Sequence, residues 1–129
     1  MQPPALGKLE LKIMQIVWDL GRCSVREIQE KFPDKSRPAY TTVQTVVSRL
    51  EVKGALRRVR KISNAHIFEA AVSREVTQKR ALDDLLGFFG GRSQPVMSHL
   101  IDSGKLTLQD LRDAEAKLTA LTKSKAKGA

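Results

Sequence analysis

Apolar residues recur first at helical spacing and then, midway along the chain, in a looser alternation. Leu9, Ile13, Ile16, Val17 and Leu20 share one face of a helix predicted over 9–20, with Met14 and Trp18 beside the stripe. Gly21 supplies a C-terminal cap. Ser24 and Glu27 form a Ser-x-x-Glu capping pair for a short second helix. Val25, Ile28 and Phe32 give that helix its buried side, and Pro33 stops it. A polar connector over 34–38 leads to a third helix over 39–54, where Val43, Val46, Val47 and Leu50 fall at i, i+3, i+4 and i+7 and Gly54 ends the run. Two strands are predicted over 56–62 and 66–72, joined by a turn at Ser63, Asn64 and Ala65.

Ser73 caps the next helical stretch, whose stripe is Leu82, Leu85, Leu86 and Phe89 before the break at Gly90 and Gly91. A short helix over 93–102 carries Val96, Met97, Leu100 and Ile101, and Gly104 ends it. Thr107 and Asp110 cap a last helix with Leu111, Ala114, Leu118 and Leu121 at helical spacing. The stretch over 73–129 is too short to bury these stripes by itself, whereas two copies packed together would cover them. A fold-back onto the N-terminal part is the competing arrangement.

The order helix, helix, helix, hairpin is the layout of a winged helix-turn-helix. The expected fold class is therefore mainly α with a small β-hairpin. The expected organisation is a winged-helix DNA-binding domain over 1–72, a helical dimerisation region over 73–122 and a disordered basic tail over 123–129.

The outer face of the third helix changes the picture from fold to function. It carries Thr41, Thr42, Gln44, Thr45, Ser48 and Arg49. Solvated helix faces are usually built from Glu and Lys, which are better helix formers. Hydroxyls, amides and Thr methyl groups instead match the edges of bases in a major groove. Charge points the same way: 23 Lys and Arg against 14 Asp and Glu give a net charge of +9. The densest basic run is 49–61, where Arg49, Lys53, Arg57, Arg58, Arg60 and Lys61 face the single acid Glu51. Thr41, Thr42, Gln44 and Thr45 are the expected base readers. Ser48, Arg49, Lys53, Arg57, Arg58, Arg60 and Lys61 are the expected backbone and wing contacts.

Other functions find little support in the sequence. No nucleophile, base and orienting group come together in a recognisable pattern, so no enzyme is expected. His66 and His99 have no Cys, Asp or Glu at ligand spacing, so no metal or cofactor is expected. Cys23 is the only cysteine, which rules out an intramolecular disulfide. Just before a helix start its thiolate could be stabilised, but a small, partly buried residue is the plainer reading. Residues 1–6 hold two prolines and no apolar run, and no stretch is long and apolar enough to span a bilayer, so a cytoplasmic protein without direct membrane binding is expected. The alternative function is a winged-helix protein-interaction module without specific DNA readout. The basic wing and the hydroxyl-rich face weigh against it.

Two stretches carry a resemblance. ELKIMQIVWDLG over 10–21 is similar to the first helix of the BlaI/MecI/CopY group of bacterial repressors, the penicillinase-repressor family. AYTTVQTVVSRLEVKGAL over 39–56 resembles that family's recognition helix. The resemblance implies a homodimeric repressor on an inverted-repeat operator of the TACA/TGTA type. It places Thr41, Thr42 and Thr45 at base-reading positions and Arg49 at a backbone contact. Leu82, Leu85, Leu86, Phe89, Met97, Leu100, Leu111, Leu118 and Leu121 are the expected dimerisation residues. The family's lactam-responsive branch is inactivated by proteolysis near an Asn-Phe bond, with a membrane sensor metalloprotease as a further partner. The matching stretch here, around Leu100 and Ile101, has no Asn-Phe pair. Ser63, Asn64 and Phe68 stand where the family wing often has a Gly-Arg pair and a Tyr. The cysteine-rich C-terminal motif of the copper-responsive branch is missing, which disfavours copper sensing.

Overall fold

The computed structural model describes residues 4–128; the expectations for 1–3 and for Ala129 fall outside the described residues. The elements run α1 (Lys8–Leu20), α2 (Val25–Glu30), a 3-10 turn (Asp34–Ser36), α3 (Tyr40–Val52), β1 (Leu56–Ile62), β2 (Ala65–Ala70), α4 (Arg74–Phe88), α5 (Gln94–Asp102) and α6 (Leu108–Gly128). The chain divides into two compact units between Leu85 and Leu86.

The first unit is a winged helix built on one apolar cluster. Ile13, Met14 and Val17 of α1, Val25 and Ile28 of α2, and Val43, Val46, Val47 and Leu50 of α3 meet Ala55, Leu56 and Phe68 of the hairpin region. Met14 is fully buried, whereas Leu9, Ile16 and Leu20 pack only partly. The reason is that α1 meets both α3 and β2. Its buried stripe therefore centres on Ile13, Met14 and Val17, between two neighbours rather than against one.

Local chemistry fixes the helix ends. Gly21 takes φ +84°, a left-handed value that glycine adopts without steric cost, and its N–H donates to the Val17 carbonyl at 2.8 Å. The Ser24–Glu27 capping pair forms in both directions, at 2.9 and 3.2 Å. The connector between α2 and α3 is less loose than its polarity suggests. Arg37 donates to the Glu30 carbonyl at 2.9 Å and to the Phe32 carbonyl at 3.0 Å, occupying the carbonyls left free at the end of α2.

The hairpin differs from expectation in two details. Its turn has two residues, Ser63 and Asn64, so β2 starts at Ala65 and ends at Ala70 rather than running 66–72. Ser63 holds φ +53°, the left-handed region that lets so short a turn close. The register passes from Arg58 opposite Phe68 to Arg60 opposite Ile67, which leaves Val59 as a bulge. The bulge accounts for the broken alternation of the strand sequence. Cys23 exchanges both backbone hydrogen bonds with Phe68, at 3.0 and 2.8 Å, and adds a one-residue third strand to the ribbon.

The first thirteen residues after 72 stay with the winged helix. Trp18 Nε1 donates to the Val72 carbonyl at 3.0 Å. Arg74 lies over the Trp18 ring at 5.6 Å and pairs with Asp19. Thr77 is buried and donates to the Ser73 carbonyl at 2.8 Å. The division of the chain thus falls within α4, not at the 72/73 junction expected from the sequence.

In the second unit, none of the described side chains is buried. Thr107 and Asp110 cap α6 reciprocally, at 2.9 and 3.0 Å. α6 then continues to Gly128, through most of the 123–129 stretch expected to be a disordered tail. Lys, Ala and Ser between 122 and 127 offer no helix breaker, so the register set by the cap carries on. None of the helices among the described residues is long and apolar enough to cross a membrane.

Candidate nucleic-acid interface

α3 begins without a side-chain cap, because Ala39 has no group to offer, and has no acid in its first turn. Its leading N–H groups and the positive end of its dipole are therefore uncompensated by side chains. Burial of the valine stripe and Leu50 leaves Thr41, Thr42, Gln44, Thr45, Ser48 and Arg49 exposed together. They divide over two flanks. Thr41, Thr42, Thr45 and Arg49 border a shallow depression with Leu9 at the start of α1. Gln44 and Ser48 border a cleft of about 270 Å³ between α2, α3 and the hairpin, shared with Arg26, Tyr40, Arg58 and His66.

Thr45 Oγ1 donates to the Thr41 carbonyl at 2.9 Å. Its hydroxyl proton is thereby used, while its oxygen lone pairs and its methyl group remain available. Thr42 makes no such bond among the described residues and keeps both donor and acceptor capacity.

The six basic residues over 49–61 separate into two groups. Lys53 Nζ sits 2.8 Å from Glu10 Oε1, Arg57 Nε 2.6 Å from Glu69 Oε2, and Arg58 Nε 3.0 Å from Glu51 Oε2. Arg58 also lies over the Phe68 ring at 5.6 Å and reaches His66 Nε2 at 3.1 Å. Because a guanidinium only donates, that ring nitrogen accepts. Glu69 is shared by Arg57 and Arg22, and their hydrogen bonds hold its carboxyl below the ordinary range. Arg49, Arg60 and Lys61 are exposed and make no ion pair among the described residues. They are the cations of this run with charge to spare for another molecule.

Two residues at the cleft escaped the sequence reading. Arg26 stacks its guanidinium on the Tyr40 ring at 5.3 Å, joining α2 to the first turn of α3. An Arg two residues after the Ser24 cap carries no signal by itself; only the folding of α2 against α3 brings it to the cleft. Cys23, in contrast, is buried, and desolvation together with the charge of Glu27 pushes its thiol up to about 11. It is a protonated core residue at neutral pH.

The expected dimerisation residues lie on α4, α5, α6 and the turn after α4. Leu82, Leu85, Met97, Leu111, Leu118 and Leu121 are exposed, and Leu86, Phe89 and Leu100 are half-buried. Leu100 and Ile101 lie within α5, in hydrogen-bonded helix.

Comparison with known proteins agrees with this architecture. The winged helix is similar to the solution structure of the DNA-binding domain of the repressor BlaI, at 23% identity and a TM-score of 0.50, over 57% of this chain and 90% of that one. The solution structure of monomeric Bacillus licheniformis BlaI with the blaP half-operator matches at 23% identity and a TM-score of 0.48, over 57% of this chain and 89% of that one. Bordetella bronchiseptica BpsR, from a study of how 6-hydroxynicotinic acid regulates its DNA binding, matches at 17% identity and a TM-score of 0.46, over 91% of this chain and 76% of that one. No curated protein matches the chain. The penicillinase repressor family matches residues 6–120, which takes in the whole winged helix and most of the helices after it. A winged helix with an exposed, hydroxyl-rich third helix, joined to a family match of that extent, makes the chain a member of the penicillinase repressor family, whose proteins are DNA-binding transcriptional repressors and not enzymes.

Proposed function

We propose that the chain acts as a homodimer on an inverted-repeat operator and represses transcription by occupying it. The observation that carries the reading is the neutral, hydrogen-bonding face of α3 together with Arg49, Arg60 and Lys61, which make no ion pair among the described residues. Thr41, Thr42, Gln44 and Thr45 read base edges in the major groove. Arg49, Arg60 and Lys61 take phosphates, with the hairpin along the backbone or minor groove. Ser48 and Arg58 line the cleft between α3 and the wing, and Arg57 lies on the opposite side of the hairpin beside Arg22 and Glu69. Arg57 and Arg58 contribute less charge to DNA, because Glu69 and Glu51 already hold them.

The homodimer is supported by the second unit, whose described apolar side chains find no buried environment within one copy. A second copy would cover Leu111, Leu118 and Leu121 and set two recognition helices one helical turn of DNA apart, roughly 34 Å. A membrane sensor metalloprotease is the partner that the family reading adds. Cleavage at Leu100 and Ile101 would require α5 to unwind first, since these residues are helical.

The base-reading role is tested by Thr42→Ala. On a TACA/TGTA inverted repeat it costs about 1–3 kcal/mol, with little effect on a scrambled duplex. An equal loss on both duplexes would remove Thr42 from base readout. Binding that is equal and weak for the wild type would favour the protein-interaction reading.

A further inference from the structure

Lys53 lies in the densest basic run, yet its surroundings are unlike those of Arg60 and Lys61. It is the C-terminal cap of α3. Its ammonium donates to Glu10 Oε1 at 2.8 Å and to the Ala5 carbonyl at 3.2 Å. Glu10 is in the first turn of α1, its side chain only 8% exposed. The same Oε1 accepts the Gly7 N–H at 2.8 Å. Oε2 is buried and accepts no hydrogen bond among the described residues. One carboxylate therefore ties the start of α1, the preceding segment and the end of α3. Burial opposes its charge, but the bonds from Lys53 and Gly7 and the charges of Lys53 and Arg49 outweigh it and hold its pKa below the ordinary value.

We propose that Lys53 and Glu10 form a positioning pair that sets the seat of α3 against α1, and that Lys53 stays on Glu10 when DNA is bound instead of neutralising a phosphate. This rests on the DNA-binding reading above. A phosphate on the protein surface would offer Lys53 a pairing weakened by water and salt. Leaving Glu10 would strand a buried carboxylate with one N–H donor, which is the more costly state. The internal pair therefore wins the competition.

The lever arm is long. Thr42 is eleven residues from Lys53, about 16 Å along the helix at 1.5 Å per residue. A tilt of about 5° pivoting at the Lys53 end moves Thr42 by about 1.4 Å, enough to break hydrogen bonds that have a range of a few tenths of an ångström. Loss of the pair should therefore damage operator recognition more than general attraction to DNA.

The test uses the full chain with Lys53→Met, Glu10→Gln, the double variant and Lys53→Arg, well below their melting temperatures. Fluorescence anisotropy is followed on the TACA/TGTA inverted repeat and on a scrambled duplex over a salt series, with Arg60→Met as the phosphate-contact control. Arg60→Met should reduce the salt slope by about 0.9 per protomer. Lys53→Met should leave the slope within about 0.3 of wild type while lowering operator affinity about tenfold and scrambled-duplex affinity little. The double variant should be no worse than the worse single one, and Lys53→Arg should recover most of the loss. A slope change as large as that of Arg60→Met would overturn the proposal, as would equal losses on the two duplexes. If the wild type shows no operator preference, the repressor reading fails, and the pair is judged by unfolding alone. Non-additive unfolding midpoints of the two single variants would then uphold it, and additive ones would overturn it.

Discussion

Replacing Arg60 and Lys61 together with alanine isolates the part of DNA binding that depends on free charge. Both side chains are exposed on β1 beyond the Val59 bulge and make no ion pair among the described residues. Removing them should change folding stability by less than about 0.5 kcal/mol. Among the described residues the remaining cation of the basic run without an ion pair is Arg49, since Lys53, Arg57 and Arg58 are held by Glu10, Glu69 and Glu51. With about 0.9 in slope for each neutralised phosphate, and with the three cations of this run that make no ion pair among the described residues as the phosphate contacts, a dimer has a slope of about −5.4 in log K against log salt. The double variant keeps one per protomer and should show about −1.8. Between 50 and 200 mM salt the wild type would lose about 1,800-fold in affinity and the variant about 12-fold. Anisotropy titrations over a salt series read both slopes. An unchanged slope would refute the assignment of these two residues. A comparable drop for Arg57→Ala would refute the division into committed and free cations, because Arg57 is paired with Glu69 at 2.6 Å.

Other parts of the molecule lend themselves to equally direct tests. Ser63 pays for a φ of +53° that glycine adopts freely, so Ser63→Gly should raise stability by about 1 kcal/mol in urea unfolding; a loss would mean that the turn closes by another geometry. Glu10 is held below its ordinary pKa of 4.5, so its contribution is complete above that value and disappears as pH falls through the lower folded value. Glu10→Gln should therefore flatten the acid limb of stability below about pH 4.5, and an unaltered limb would contradict the assignment. Leu118→Glu with Leu121→Glu, both on exposed positions of α6, should give monomers in sedimentation equilibrium and weaken operator binding; a dimer that persists would place the contact elsewhere.

Much of the fold was legible because local signals agreed with one another. The Ser24–Glu27 and Thr107–Asp110 capping pairs, the Gly21 stop and the valine stripe of α3 each mark their element within a residue or two. Where tertiary packing decides, the pattern was less informative. Leu9, Ile16 and Leu20 belong to the periodic stripe yet pack only partly, while Met14 beside it is fully buried, because α1 packs against both α3 and β2. The Val59 bulge displaces the strand alternation by one residue, which no periodicity count resolves. The two-residue turn depends on Ser63 adopting a backbone angle unusual for serine. Chemistry followed the same division. The exposed face of α3 could be read from spacing, whereas the partners of Lys53, Arg57 and Arg58 lie 43, 12 and 7 residues away and emerge only on folding. Residue type marks a cation; its neighbours decide whether that charge is available.

The central claim is operator recognition by a dimer through α3. The most direct measurement is an anisotropy titration of the full chain on a duplex bearing the TACA/TGTA inverted repeat and on a scrambled duplex, in 150 mM salt, with the stoichiometry read at saturation. Two protomers per duplex and an affinity at least about a thousandfold tighter on the inverted repeat are expected. Equal affinity for the two duplexes, or saturation at one protomer, would contradict it.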